Sequence, residues 1–233
     1  GDVDSAGVRT AVTLNVTGSS DLDIDGQITL GTAGSGKGTI DASAFTGDLE
    51  LATALDGVST VTGGSGNDTI VGDDQASTLS GGAGDDAITG GSKSDTINGG
   101  AGNDTFATSD ANLAATHVLD GGAGTDTLSL SDISAVADSQ LANKTSIEKI
   151  TSSGATGLNV TLDSNAQAMG VTTIVFAGNN TTSGIDDIVT IQNDVTNAIT
   201  VTLDALEAGG EDTNHVIATT YTGVLTLNTT SLS

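Results

Sequence analysis

Five nonapeptides run without a gap from Gly63 to Ala107: GGSGNDTIV (63–71), GDDQASTLS (72–80), GGAGDDAIT (81–89), GGSKSDTIN (90–98) and GGAGNDTFA (99–107). A sixth, GGAGTDTLS, occupies 121–129. Each unit divides into a Gly-rich turn and a short strand whose large apolar residue points inward: Ile70, Leu79, Ile88, Ile97, Phe106 and Leu128. The neighbours of that residue alternate outward, as a strand requires. One unit makes half a coil, so equivalent residues two units apart stack on one side, about 4.8 Å from each other. Asp68, Asp86 and Asp104 then line one edge, and Asp95 lies on the other. A flexible Gly/Asp linker would not keep a large apolar residue at constant phase through five units.

Carboxylates stacked that closely repel one another unless a cation sits between them. Calcium suits such a gap, because it takes about six to eight hard oxygen ligands at roughly 2.3–2.6 Å in flexible geometry. The turn carbonyls of Gly64, Gly66, Gly82, Gly84, Gly100, Gly102, Gly122 and Gly124 are candidates for the oxygens that the carboxylates do not supply. The units are uneven. The second has Ser77 in place of Asp, so its site with Asp95 is expected to be weak or absent unless Asp73 or Asp74 substitutes. The fourth carries Lys93 in place of its third Gly, which argues against a positive φ there. Between Ala107 and Gly121, two registers are open. With Leu119 as the apolar position of an enlarged half-coil, Asp126 stacks under Asp104 and Asp110 falls on the Asp95 edge. If 108–120 loops out instead, Asp126 moves to the Asp95 edge.

The pattern G-G-x-G-x-D-x-U-x, with U apolar, resembles the calcium-binding repeat of RTX proteins. The resemblance implies an all-β fold, a right-handed parallel β-roll or β-solenoid holding several Ca2+ ions. Asp68, Asp86, Asp104, Asp95 and Asp126, with the eight glycines above, are the expected ligands.

Composition points the same way. The chain has 30 acidic and 5 basic residues, a net charge of −25, no Cys, no Pro, no Trp and three Phe. Without cations so acidic and aromatic-poor a chain lies near the disordered regime. Calcium binding only the folded form shifts the balance toward folding. Such charge excludes electrostatic nucleic-acid binding, and no apolar run reaches the length of a membrane-spanning helix. Gly1 is not an initiator and no signal peptide is visible, so an excised fragment is expected.

Three segments are expected: a solenoid-like 1–62, the calcium-binding roll 63–129, and a β-rich 130–233 that is either further solenoid or a sandwich. Upstream strands are expected at Val12–Val16, Asp21–Ile24, Gln27–Leu30, Thr39–Ala42, Leu49–Ala52 and Ser59–Thr62. Their apolar phase steps through Ile40, Leu49, Val61 and Ile70, so this part is expected to stack on the roll. Downstream strands are expected at Thr127–Leu130, Ile147–Thr151, Leu158–Leu162, Val171–Phe176, Ile188–Ile191, Ile199–Leu203, His215–Ala218 and Val224–Leu227. Short helices are expected at Ser134–Asn143 and Asn165–Met169.

Other features weigh less. Asp21-Leu-Asp23-Ile-Asp25-Gly26 opens like an EF-hand loop, but Thr32 stands where its closing Glu belongs and the flanks read as strands. An alternating strand with a solvated acidic face explains the same letters. Asp2/Asp4 and Asp186/Asp187 are weaker acidic pairs. His117 and His215 have no zinc-motif partners, and no G-x-S-x-G elbow is present. The N-x-T triplets, such as Asn15–Thr17, are what chance supplies in a chain this rich in Asn and Thr.

The chain is therefore expected not to be an enzyme. The whole length is similar to RTX-type surface-layer (S-layer) proteins: Thr/Ser/Ala/Val-rich strands, few Lys and no Cys. That resemblance implies a secreted, bacterial cell-surface subunit folded by calcium. It also implies self-association into a lattice, with cell-surface polysaccharide bound through other regions. The alternatives are a calcium-stiffened adhesin segment and the C-terminal module of a type I-secreted enzyme or toxin.

Overall fold

The computed structural model describes residues 12–30, 38–52, 55–108, 113, 117–131, 135–152, 158–176, 187–203, 215–218 and 220–229. The chain divides into two compact units, 1–107 with 116–124, and 108–115 with 125–233. Each is a β-solenoid whose strands pair in parallel.

In the first unit one sheet runs, in spatial order, Thr13–Gly18, Gly38–Phe45, Val58–Thr62, Thr78–Ala83, Thr96–Ala101 and Val118–Ala123. The other runs Leu22–Asp23, Leu49–Leu51, Thr69–Val71, Ala87–Thr89 and Thr105–Thr108. The upstream strands thus stack directly on the nonapeptide strands. Register places Ile40, Val61, Leu79, Ile97 and Leu119 in one inward column. Leu51, Ile70, Ile88 and Phe106 form the facing one. All nine are buried, which is how a chain this poor in aromatics builds a core. Two expectations shift. Leu51 rather than Leu49 pairs with Ile70, and both leucines are buried because they are two apart on one strand. In 27–30 only an isolated bridge forms, Thr29 to Asp56.

Leu119 pairs with Ile97, which is the register expected with Leu119 as the apolar position. The second unit settles on solenoid over sandwich, because its strands are parallel as well. One sheet runs Thr127–Leu130, Lys149–Ser152, Thr173–Phe176, Ile199–Leu203, Leu225–Thr229. The other runs Ala135–Val136, Asn159–Leu162, Ile188–Ile191, His215–Ile217.

Of the short helix expected at Ser134–Asn143, only the 3-10 helix Asp138–Leu141 forms within the described residues 135–143. Ala135–Val136 is a strand paired with Asn159–Val160, followed by a 3-10 turn at Asp138–Leu141. The buried Val136 and Leu141 are five apart, which no helical face accommodates. The helix at Ser164–Met169 does form and ends on Gly170 at φ 102°. Its N-terminus is capped from another coil: the Asp138 carboxylate accepts N–H bonds from Asp163, Asn165 and Ala166 at 2.8, 3.1 and 2.9 Å.

Candidate metal centre

Along one edge of the first unit the turns carry two columns of glycines. A Cβ on Gly82 would lie 2.2 Å from the Gly64 carbonyl oxygen, and one on Gly100 2.0 Å from that of Gly82. One on Gly122 would lie 2.1 Å from the oxygen of Gly100. Gly66, Gly84, Gly102 and Gly124 stack in the same way, at 2.2, 2.0 and 1.8 Å. The backbone at Gly82, Gly84, Gly100, Gly102, Gly122 and Gly124 has positive φ, between 98° and 143°. Only glycine permits this close approach and this conformation together.

Each turn closes on its buried aspartate. Asp68 Oδ1 accepts the Leu49 N–H at 2.9 Å and its Oδ2 the Gly64 N–H at 2.7 Å. Asp86 Oδ1 accepts the Asp68 N–H at 2.7 Å, and Asp104 Oδ1 accepts the Asp86 N–H at 2.8 Å. Every carboxylate thus tethers the coil before it, and the stacking expected of Asp68, Asp86 and Asp104 is present. Asp86 Oδ2 is buried and accepts no hydrogen bond. Burial, then the neighbouring Asp68, Asp104 and Asp85 charges, raise the Asp86 pKa to about 7 against the hydrogen bond from Asp68. Asp68 is raised too, chiefly by burial.

Asp126, in the second unit, is fully buried, and its N–H donates to Glu148 Oε2 at 2.9 Å. Glu148 precedes Lys149–Ser152 as Asp126 precedes Thr127–Leu130, so a carboxylate continues the role outside the nonapeptides. Asp187 repeats it, buried, with Oδ1 accepting the Leu158 N–H at 2.7 Å. Sequence reading placed neither as a tether. The signal was there: Glu148-Lys149-Ile150 and Asp187-Ile188-Val189 keep the acid-x-apolar spacing after the glycines have gone.

A second, outer ladder was also missed. Asn67, Asp85 and Asn103 each stand one residue before an edge aspartate. The Asn67 N–H donates to Asp48, that of Asp85 to Asn67, and that of Asn103 to Asp85, at 2.7, 2.8 and 2.6 Å. Asp21 ends this ladder by accepting the Asp48 N–H at 3.0 Å. The EF-hand-like stretch is therefore a solenoid rung, with Asp23 and Asp25 exposed and no flanking helix among the described residues.

The opposite edge differs. Asp95 Oδ1 accepts the Ser77 N–H at 2.9 Å and Oδ2 the Gly91 N–H at 3.0 Å. The buried His117 stands next in the stack, its Nδ1 3.3 Å from the Asp95 nitrogen and 3.6 Å from Asp95 Oδ2. The buried Asp73 accepts N–H bonds from Gly57, at 3.2 Å, and from Gln75. Lys93 has no positive φ, as its side chain led us to expect. Asp2, Asp4, Asp110 and Asp186 lie outside the described residues.

Among the described residues no three carboxylate or imidazole side chains converge to hold an ion by themselves. A cation on the glycine edge must therefore draw on backbone carbonyls as well. The donors there fit calcium: hard oxygens only, a buried carboxylate oxygen lacking a donor, and turns open to close approach. Residues 62–96, 80–112 and 118–131 match the family model of the RTX calcium-binding nonapeptide repeat. No curated protein and no solved structure matches the chain.

Proposed function

We propose that this chain, carrying RTX calcium-binding repeats, is a structural segment of a secreted protein whose solenoid folds when calcium neutralises its carboxylate column. The observation that carries this is Asp86: a buried acid between two others, tethered through one oxygen and bare at the other. Asp68, Asp86 and Asp104 supply the charge, and the carbonyls of Gly64, Gly66, Gly82, Gly84, Gly100, Gly102, Gly122 and Gly124 supply further oxygens. Calcium bound there cancels repulsion and stabilises the folded form alone.

The finer reading is a subunit of a bacterial surface layer, assembling into a calcium-dependent lattice on the cell. Its support is the whole-length composition, net −25 with no Cys, and the parallel strands that extend well beyond the repeats on both sides. Sedimentation velocity in EGTA and in millimolar calcium tests both levels. Compaction followed by growth into large assemblies is the expected result. Compaction to a lasting monomer would remove the lattice and leave a calcium-folded adhesin segment or secretion module.

A further inference from the structure

We infer that calcium loads only one edge of the first unit, and that the edge containing Asp73, Asp95 and His117 closes without a cation. The inference rests on the calcium reading above and limits where it applies. A cation site in this fold needs stacked acids, oxygens left without donors, and turns whose backbone permits close approach. The glycine edge has all three around Asp86. Among the described residues the other edge lacks the first two, and where its backbone does approach closely, Gly91 against the Asp73 carbonyl, the turn has no positive φ. Where the stack needs successive acids it offers Ser77, Asp95 and His117, a single carboxylate flanked by a hydroxyl and an imidazole. Among the described residues Asp73 is the other acid buried there, and Asp74 is exposed.

All four oxygens of Asp73 and Asp95 already accept backbone N–H bonds, from Gln75, Gly57, Ser77 and Gly91. His117 Nδ1 stands 3.6 Å from Asp95 Oδ2, which leaves a soft nitrogen where calcium would want a hard oxygen. Gln75, Ala76 and Lys93 occupy turn positions on this edge, and no residue in 72–77 or 90–95 has positive φ. Backbone hydrogen bonds and an imidazole–carboxylate contact therefore do on this edge what an ion does on the other.

Native mass spectrometry at saturating calcium tests this by counting ions on the full chain and its variants. Asp86→Asn is expected to retain fewer ions than wild type, and Asp95→Asn the same number. A lower count in folded Asp95→Asn would overturn the one-edge assignment while leaving calcium binding intact. A wild type that retains no ion would sink the calcium reading itself. Should Asp95→Asn fail to fold, terbium-soaked crystals of the wild-type chain decide the point. Anomalous peaks are expected along the glycine edge. A peak within about 3 Å of a carboxylate oxygen of Asp73 or Asp95 would overturn the inference.

Discussion

At Gly100 the backbone takes φ 120°, and an added methyl would come within 2.0 Å of the Gly82 carbonyl oxygen. Gly100→Ala is expected to cost at least about 1–3 kcal/mol, read from urea unfolding in saturating calcium. Gly26→Ala is the control, since a Cβ there meets nothing within 4 Å. At Asp86 the governing quantity is a proton. Its pKa is raised to about 7 in the cation-free fold, well above the ordinary 3.8. The protonated fold is therefore favoured at low pH, and that stability is lost as pH rises from about 4 through about 7. The unfolded chain has already lost this proton above about pH 5, so in EGTA the β-sheet content is expected to rise as pH is lowered from about 8 to about 5. An EGTA spectrum that does not change between about pH 5 and about pH 8 would contradict the burial of an uncompensated acid.

Elements built on period-two alternation were legible because burial and sequence carry the same signal. The inward residues Ile70, Leu79, Ile88, Ile97 and Phe106 were all read correctly, and so was Leu119 as the apolar position after the longer interval. What was not legible depends on residues a full coil away. The Asn67, Asp85 and Asn103 ladder satisfies N–H groups eighteen or nineteen positions distant, which no local window reveals. The helix at Ser164–Met169 was read from its helix-forming residues, but its cap comes from Asp138. The same Asp138 opens the 3-10 helix that is all that forms of the longer helix read there, because strand pairing at Ala135–Val136 overrides the propensity of its small residues. Asp138→Ala is expected to destabilise the second unit by about 1–2 kcal/mol. Hydrogen exchange should locate the loss at Asp163, Asn165 and Ala166. Unchanged protection at these three amides would remove Asp138 as the cap.

Over the whole molecule, 30 acidic residues face 5 basic ones, and the core is built from columns of mostly aliphatic side chains. Self-repulsion and ordering entropy oppose that fold, and on the proposed function calcium supplies the opposing term. The most direct test is far-UV circular dichroism during a calcium titration from EGTA near neutral pH, on wild type, Asp86→Ala and Asp74→Ala. Wild type is expected to begin without a β-sheet spectrum and to gain one cooperatively. Asp86→Ala should shift the midpoint to markedly higher calcium, and Asp74→Ala, whose side chain is exposed, should shift it far less. A β-sheet spectrum already complete in EGTA, or equal shifts in the two variants, would contradict calcium-driven folding through the stacked carboxylates.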